Sequence, residues 1–171
     1  MKFSSKRSFR KFIKEAIESD RIIKERPWSV EYTFTLSGGS ADDSEGTAPD
    51  GFEIDLTSES GESVSVIVDS YWNPQNGDQS GNELRIESEG RVIDRTYVPV
   101  RFDDGNEQII VISNSPVKDV ITISHGLSGT VPIVYLSVKS PFTTDDDDIE
   151  FTVKKLGNGN ADVELTDHAN V

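Results

Sequence analysis

The apolar residues near the start of the chain recur at helical spacing. Phe9, Phe12, Ile13, Ala16 and Ile17 stand at i, i+3, i+4, i+7 and i+8, which lays them in one stripe along an α-helix. Ser5 or Ser8 can cap that helix, and Pro27 biases Arg26 away from the helical region and so ends it. Ile22 and Ile23 carry the apolar surface imperfectly into a last turn. Arg10, Lys11, Lys14, Glu15, Glu18 and Arg21 fall between the stripe residues and form a polar, mostly cationic face. The spacing predicts one amphipathic helix within residues 1–28.

After Trp28 the period changes to two and stays there. "SVEYTFTLS" alternates Val30, Tyr32, Phe34 and Leu36 with Glu31, Thr33 and Thr35, the mark of a half-buried strand. "GFEIDLT" puts Phe52, Ile54 and Leu56 on one side and Glu53 and Asp55 on the other, and "ESVSVIVDSYW" aligns Val64, Val66 and Val68. "ELRIES", "RVIDRTYVPVRF", "EQIIVIS", "DVITIS", "TVPIVYLSVK", "DIEFTVKKL" and "ADVELT" read likewise, separated by turn-forming clusters such as "NPQNGDQSGN", "DDGN", "HGLSG" and "GNGN". About ten short strands with no second helix predict a mainly β fold, an antiparallel β-sandwich of jelly-roll-like or Ig-like kind, over residues 29–166. Residues 167–171 read as a C-terminal tail. Pro99 and Pro132 fall inside strand-like runs, which places those strands at an edge or beside a bulge. Two long polar loops, 37–51 and 73–83, have the length at which binding loops on a β scaffold are found.

Charge divides the chain in the same place as the periodicity. Residues 1–26 hold nine basic side chains against four acids, so the remaining 145 residues carry −19 within a total of −14. Only four lysines lie past residue 26: Lys118, Lys139, Lys154 and Lys155. A body so acidic repels itself in dilute buffer, and salt relieves that repulsion. There is no cysteine, which removes disulfides, thiolate nucleophiles and zinc–thiolate sites. The basic start lacks the apolar run of a secretory signal, and no stretch is long and apolar enough to predict a transmembrane helix.

The residues that carry chemistry are sparse. His125 lies in "SHGLSG" between two strand-like runs and reads as a polar loop residue; His168 falls in the tail. No nucleophile elbow G-x-S-x-G and no metal-binding histidine spacing occurs, so neither a catalytic nor a metal residue is predicted. "TTDDDDIE" (Asp145 to Asp148) and "FDDGNE" (Asp103, Asp104, Asn106, Glu107) offer oxygens suited to Ca²⁺ or Mg²⁺, but neither has EF-hand spacing, and they read first as solvated turns. No phosphate-cradling glycine loop is present: "SGGS" and "GNGN" are turns.

The helical stretch remains the main functional signal. Its apolar stripe suits docking on protein. A membrane surface or nucleic acid would also accept its cationic face, although salt weakens both. A terminal anchor before an acidic all-β body resembles accessory capsid, turret and tail proteins of haloarchaeal tailed viruses. The resemblance rests on organisation and charge, and no family motif accompanies it. It implies a non-enzymatic virion component, made in the host cytoplasm. Phe9, Phe12, Ile13, Ala16 and Ile17 would join it to other copies of itself and to a larger assembly such as a capsid, without cofactor, nucleic acid or membrane span. The alternative is a carbohydrate- or receptor-binding sandwich in which Tyr71 and Trp72 of "SYWNPQNG" contact the ligand.

Overall fold

The computed structural model describes residues 21–23, 28–37, 49–70, 81–115, 119–142, 148–157 and 160–170. Eleven strands form among them: β1 (Arg21–Ile23), β2 (Trp28–Ser37), β3 (Pro49–Ser58), β4 (Ser63–Asp69), β5 (Glu83–Ser88), β6 (Arg91–Tyr97), β7 (Gln108–Ser115), β8 (Val120–Leu127), β9 (Ile133–Lys139), β10 (Asp148–Gly157) and β11 (Asn160–Asn170). They build a six-stranded sheet ordered β1-β10-β3-β4-β5-β6 and a five-stranded sheet ordered β11-β2-β7-β8-β9. All nine strand pairings are antiparallel.

The two-residue period explains both sheets. On β2 burial alternates strictly, with Trp28, Val30, Tyr32, Phe34 and Leu36 turned inward. Phe52, Ile54 and Leu56 of β3 and Val64, Val66 and Val68 of β4 meet them from the other sheet. Aromatic rings join the layers: Trp28 lies edge-on to Phe151 at 5.5 Å, and Phe34 packs on Phe52 at 5.0 Å. The β5–β6 hairpin turns on Glu89 (φ 52°) and Gly90 (φ 72°), the pair of left-handed residues that a two-residue hairpin needs.

Gly51 has a stricter role. Its φ is +112°, and a Cβ there would lie 1.8 Å from the Val68 carbonyl oxygen on the paired strand. Gly51→Ala is therefore expected to cost roughly 3 kcal/mol, through strain and backbone displacement together. A thermal melt should show this as a drop of roughly 6–12 °C.

Several expectations shift. Arg21–Ile23 form a strand on β10, where the sequence suggested the last turn of a helix. Cross-strand pairing outside the apolar stripe accounts for the change. Trp28 belongs to the sandwich core, not to an anchor. Asp167–Asn170 continue β11 alongside β2, so most of the expected tail is strand. Pro132 precedes β9, an edge strand with a bulge in its pairing, as expected; Pro99 falls just after β6. The helix stripe Phe9, Phe12, Ile13, Ala16 and Ile17 lies outside the described residues, among which there is no helix.

Strand directions deliver the chain to one end of the sandwich after Ser37, Asp69, Tyr97, Leu127 and Gly157. Both long loops foreseen in the sequence, together with "FDDGNE", thus leave the strands at that end, while Asp148 starts β10 at the other.

Candidate functional site

The outer face of the six-stranded sheet carries a grid of charged side chains. Three rows cross the strands. The first runs Asp69, Glu83, Tyr97; the second Lys154, Glu53, Ile67, Arg85, Arg95; the third Thr152, Asp55, Ser65, Glu87, Val92. These positions alternate with the core residues of β3, β4 and β5, so the pleat that buries Leu84 and Ile86 also turns Glu83, Arg85 and Glu87 outward. Built on hydrogen-bonded strands, the grid is held more rigidly than a loop could hold it.

Arg85 organises its upper half. Its Nη1 donates to Glu83 Oε1 at 2.9 Å and to Asp69 Oδ2 at 3.1 Å, and its Nε donates to Glu87 Oε1 at 2.7 Å. Arg95 Nη1 stands 3.6 Å from Glu83 Oε2. Glu83 is 1% exposed and Ile67 4%, so this part of the network is shielded from solvent although it belongs to an outer face. Burial disfavours the Arg85 cation, but the bonds it donates to Glu83 and Glu87 and the charge of Asp69 outweigh it and raise the guanidinium pKa.

The second half centres on a carboxylate pair. Asp55 Oδ1 accepts from Ser65 Oγ at 2.6 Å, and Asp55 Oδ2 pairs with Lys154 Nζ. Burial first, then the hydrogen bond with Asp55, raises the Glu53 pKa. Burial works the same way on Asp55, yet hydrogen bonds from Lys154, Ser65 and Glu53 bring that carboxyl below its usual range. The face thus offers cationic donors, acceptor carboxylates and one carboxyl biased toward its protonated form.

The other sequence candidates are accounted for differently. Tyr71 and Trp72 lie outside the described residues. "FDDGNE" folds as a closed turn. Arg101 donates to both Asp103 oxygens, at 3.0 and 2.9 Å, and Asp104 accepts from the Asn106 backbone and amide and from Gln108. Those carboxylates are engaged by the chain's own donors and do not fit a Ca²⁺ or Mg²⁺ site. Among the described residues no group of three His, Cys, Asp or Glu could hold a metal ion.

His125 is not a loop residue: it points inward from β8, 2% exposed, between Phe34, Phe102 and Tyr135. His168 lies in β11 opposite Val30. The charged grid was missed because charges on the open face of a strand look like ordinary solvated positions. The available signal was "ELRIE", which sets three charges on one face.

No family model and no curated protein matches the chain. Solved structures are similar to it in fold. One is the VIP36 exoplasmic/lumenal domain in its Ca²⁺/Man3GlcNAc-bound form, 10% identical, with a TM-score of 0.60 over 85% of this chain and 69% of that one. Lectin II from Ulex europaeus is 15% identical, with a TM-score of 0.56 over 81% and 70%. Basic winged bean lectin with Tn-antigen is 10% identical, with a TM-score of 0.58 over 83% and 69%. The fold is therefore an antiparallel β-sandwich like that of these lectins, as the strand pattern predicts. The likeness also overturns the reading of the chain as a virion component assembled through its N-terminal helix, and favours the ligand-binding alternative.

Proposed function

We propose that the chain is a non-enzymatic carbohydrate-binding module whose ligand, a neutral saccharide, lies on the charged outer face of the six-stranded sheet. The observation that carries the reading is the Arg85 network, planar carboxylates and guanidiniums held side by side on rigid strands. Vicinal sugar hydroxyls donate and accept at spacings that such groups match. Around Arg85 three carboxylates face two guanidiniums, so the network favours hydroxyl donors over a further anion. The lectin-like fold supports the same reading. Similar structures were solved with mannose and with galactose bound.

Hydrolysis fits less well. Both Asp55 oxygens are already engaged, by Ser65 and Lys154, which leaves that carboxylate poorly placed to serve as the nucleophile or base of a glycosidase pair. Tyr71 and Trp72, outside the described residues, enter the proposal as its aromatic contacts.

A panel of neutral mono- and oligosaccharides, titrated and followed by NMR shifts, tests the reading. Binding should shift the amides of Ile67, Glu83, Arg85 and Tyr97 before those of the other sheet. If no saccharide moves them at about 10 mM, a concentration that detects even millimolar affinity, the assignment fails.

A further inference from the structure

The outer face of the five-stranded sheet is graded in charge. Its edge strand β11 turns Asp162, Glu164 and Asp167 outward, level with Thr35, Thr33 and Glu31 of β2. Hydroxyls tie the two strands on this face: Thr33 Oγ1 donates to Thr166 Oγ1 at 3.1 Å, and Thr166 Oγ1 donates to Glu31 Oε1 at 3.2 Å. Among the described residues no Lys or Arg pairs with any of the four carboxylates. Further across the sheet the same rows lose their charge. Glu31 leads to Val111, Ser124 and Val134, and Thr33 leads to Ile109 and Gly126. The face thus passes from carboxylates at the β11 edge to small and apolar positions on β7 and β8.

The chain itself holds a segment of matching pattern. Residues 1–20 lie outside the described residues and lead into β1 at Arg21. Residues 1–14 hold six cationic side chains and no acid. In the helix that their spacing predicts, each residue turns by about 100°. Lys6, Arg10 and Lys14 then follow one flank of the stripe Phe9, Phe12 and Ile13, and Ser5 and Ser8 fall on the other. Cations four residues apart on a helix rise by about 6 Å, close to the spacing of about 7 Å between alternate positions on a strand. The segment also starts from the right place. β1 is the edge of its sheet, and β11 lies against β3 across the core, so β1 and β11 stand on the same side of the sandwich. Ile13 precedes Arg21 by eight residues, which span up to about 26 Å, enough to round an edge where the sheets stand about 10 Å apart.

We propose that residues 1–20 dock on the outer face of the five-stranded sheet of their own chain. The apolar stripe covers Val111 and the small positions of β8, and the cationic flank meets the carboxylates of β11 and Glu31. The tether holds the segment at an effective concentration on the order of millimolar, so a weak contact is enough to keep it there. A second copy would bring its own net charge of −14 to the same face, which works against docking between chains. The saccharide face belongs to the other sheet and stays open, so the inference stands apart from the reading given above.

A spin label on the full chain tests it. The chain has no cysteine, so Ser4→Cys takes a single nitroxide. The label should broaden the amides of Thr33, Val111 and Ser124 and spare those of Ile67 and Arg85. Isotope-labelled chain without the nitroxide, mixed with spin-labelled chain of natural isotope content, should show no broadening. Asp162→Lys with Glu164→Lys should cut the broadening by at least about half in dilute buffer. Phe9→Ser with Phe12→Ser should remove it. Thermal melts and the saccharide titration, which the docking leaves unchanged, show that each variant is folded. The inference is overturned if Thr33, Val111 and Ser124 are not broadened, or if Ile67 and Arg85 are broadened equally. Broadening in the mixed sample, which assigns the contact to another copy, overturns it too, as does broadening undiminished by the two charge reversals.

Discussion

Replacing Arg85 with Ala is expected to abolish saccharide binding and to remove about 3 kcal/mol of folding stability. Its side chain is 20% exposed and bonds three carboxylates whose own exposures are 12% at Asp69, 1% at Glu83 and 23% at Glu87. Without the guanidinium, Glu83 is a buried carboxylate whose cationic neighbour is Arg95, 3.6 Å away and 39% exposed. Leaving a buried charge uncompensated typically costs about 3–5 kcal/mol, and the partial exposure of Asp69 and Glu87 places this case at the low end. Urea denaturation should show a lower midpoint at unchanged slope.

Two further variants separate stability from recognition. In Glu83→Leu with Arg85→Leu the most deeply buried carboxylate goes with the guanidinium, so most of the lost stability should return while binding stays lost. Arg85→Lys keeps the charge but not the fork that reaches three carboxylates, so binding should weaken by at least about tenfold with a smaller loss of stability. If Arg85→Ala binds saccharide as the wild type does, the ligand lies elsewhere on the sandwich.

The strands were legible because each buries one face, and a buried face writes a period of two that no other element produces. Val30, Tyr32, Phe34 and Leu36 needed nothing beyond local spacing. The grid was not legible because its meaning lies in register. Arg85 meets Asp69 only because β4 pairs with β5 at Asp69↔Glu83, and Arg95 only because β6 pairs on the other side. Single-chain spacing contains neither fact. His125 was misread for a different reason. Ser124, Gly126 and Gly129 resemble turn chemistry, whereas Gly126 sits within β8 because the hairpin doubles back over it. A Cβ there would stand 3.2 Å from the Pro132 Cα and 3.1 Å from the Thr130 hydroxyl. The glycine marks close packing, not a turn, and the residue before it faces the core.

That buried histidine gives the second large effect, a loss of stability in mild acid. Gln108 Nε2 donates to the carbonyls of Arg101 and Phe102, at 2.9 and 3.1 Å, and to Asp104 Oδ1 at 3.2 Å. Its Oε1 therefore accepts, and His125 Nε2, 2.8 Å away, carries the proton in the neutral ring. Burial among aromatic rings disfavours the imidazolium and lowers the His125 pKa from 6.5 to about 4. The unfolded chain takes up the proton first as pH falls. The stabilising contribution is thus complete above pH 6.5, declines toward about pH 4, and falls no further below it. Over that window the loss amounts to about 3 kcal/mol. Asp104 acts lower: burial would raise its carboxyl, but the bonds from Asn106 and Gln108 bring it below the usual aspartate range. His125→Gln keeps an N–H donor for Gln108 and removes the titration, so its stability should be nearly flat from pH 6.5 to 4.5 while the wild type declines. Denaturant midpoints of both chains across that range decide the matter. Parallel curves would show that another group titrates, and that the imidazole meets water in the folded protein.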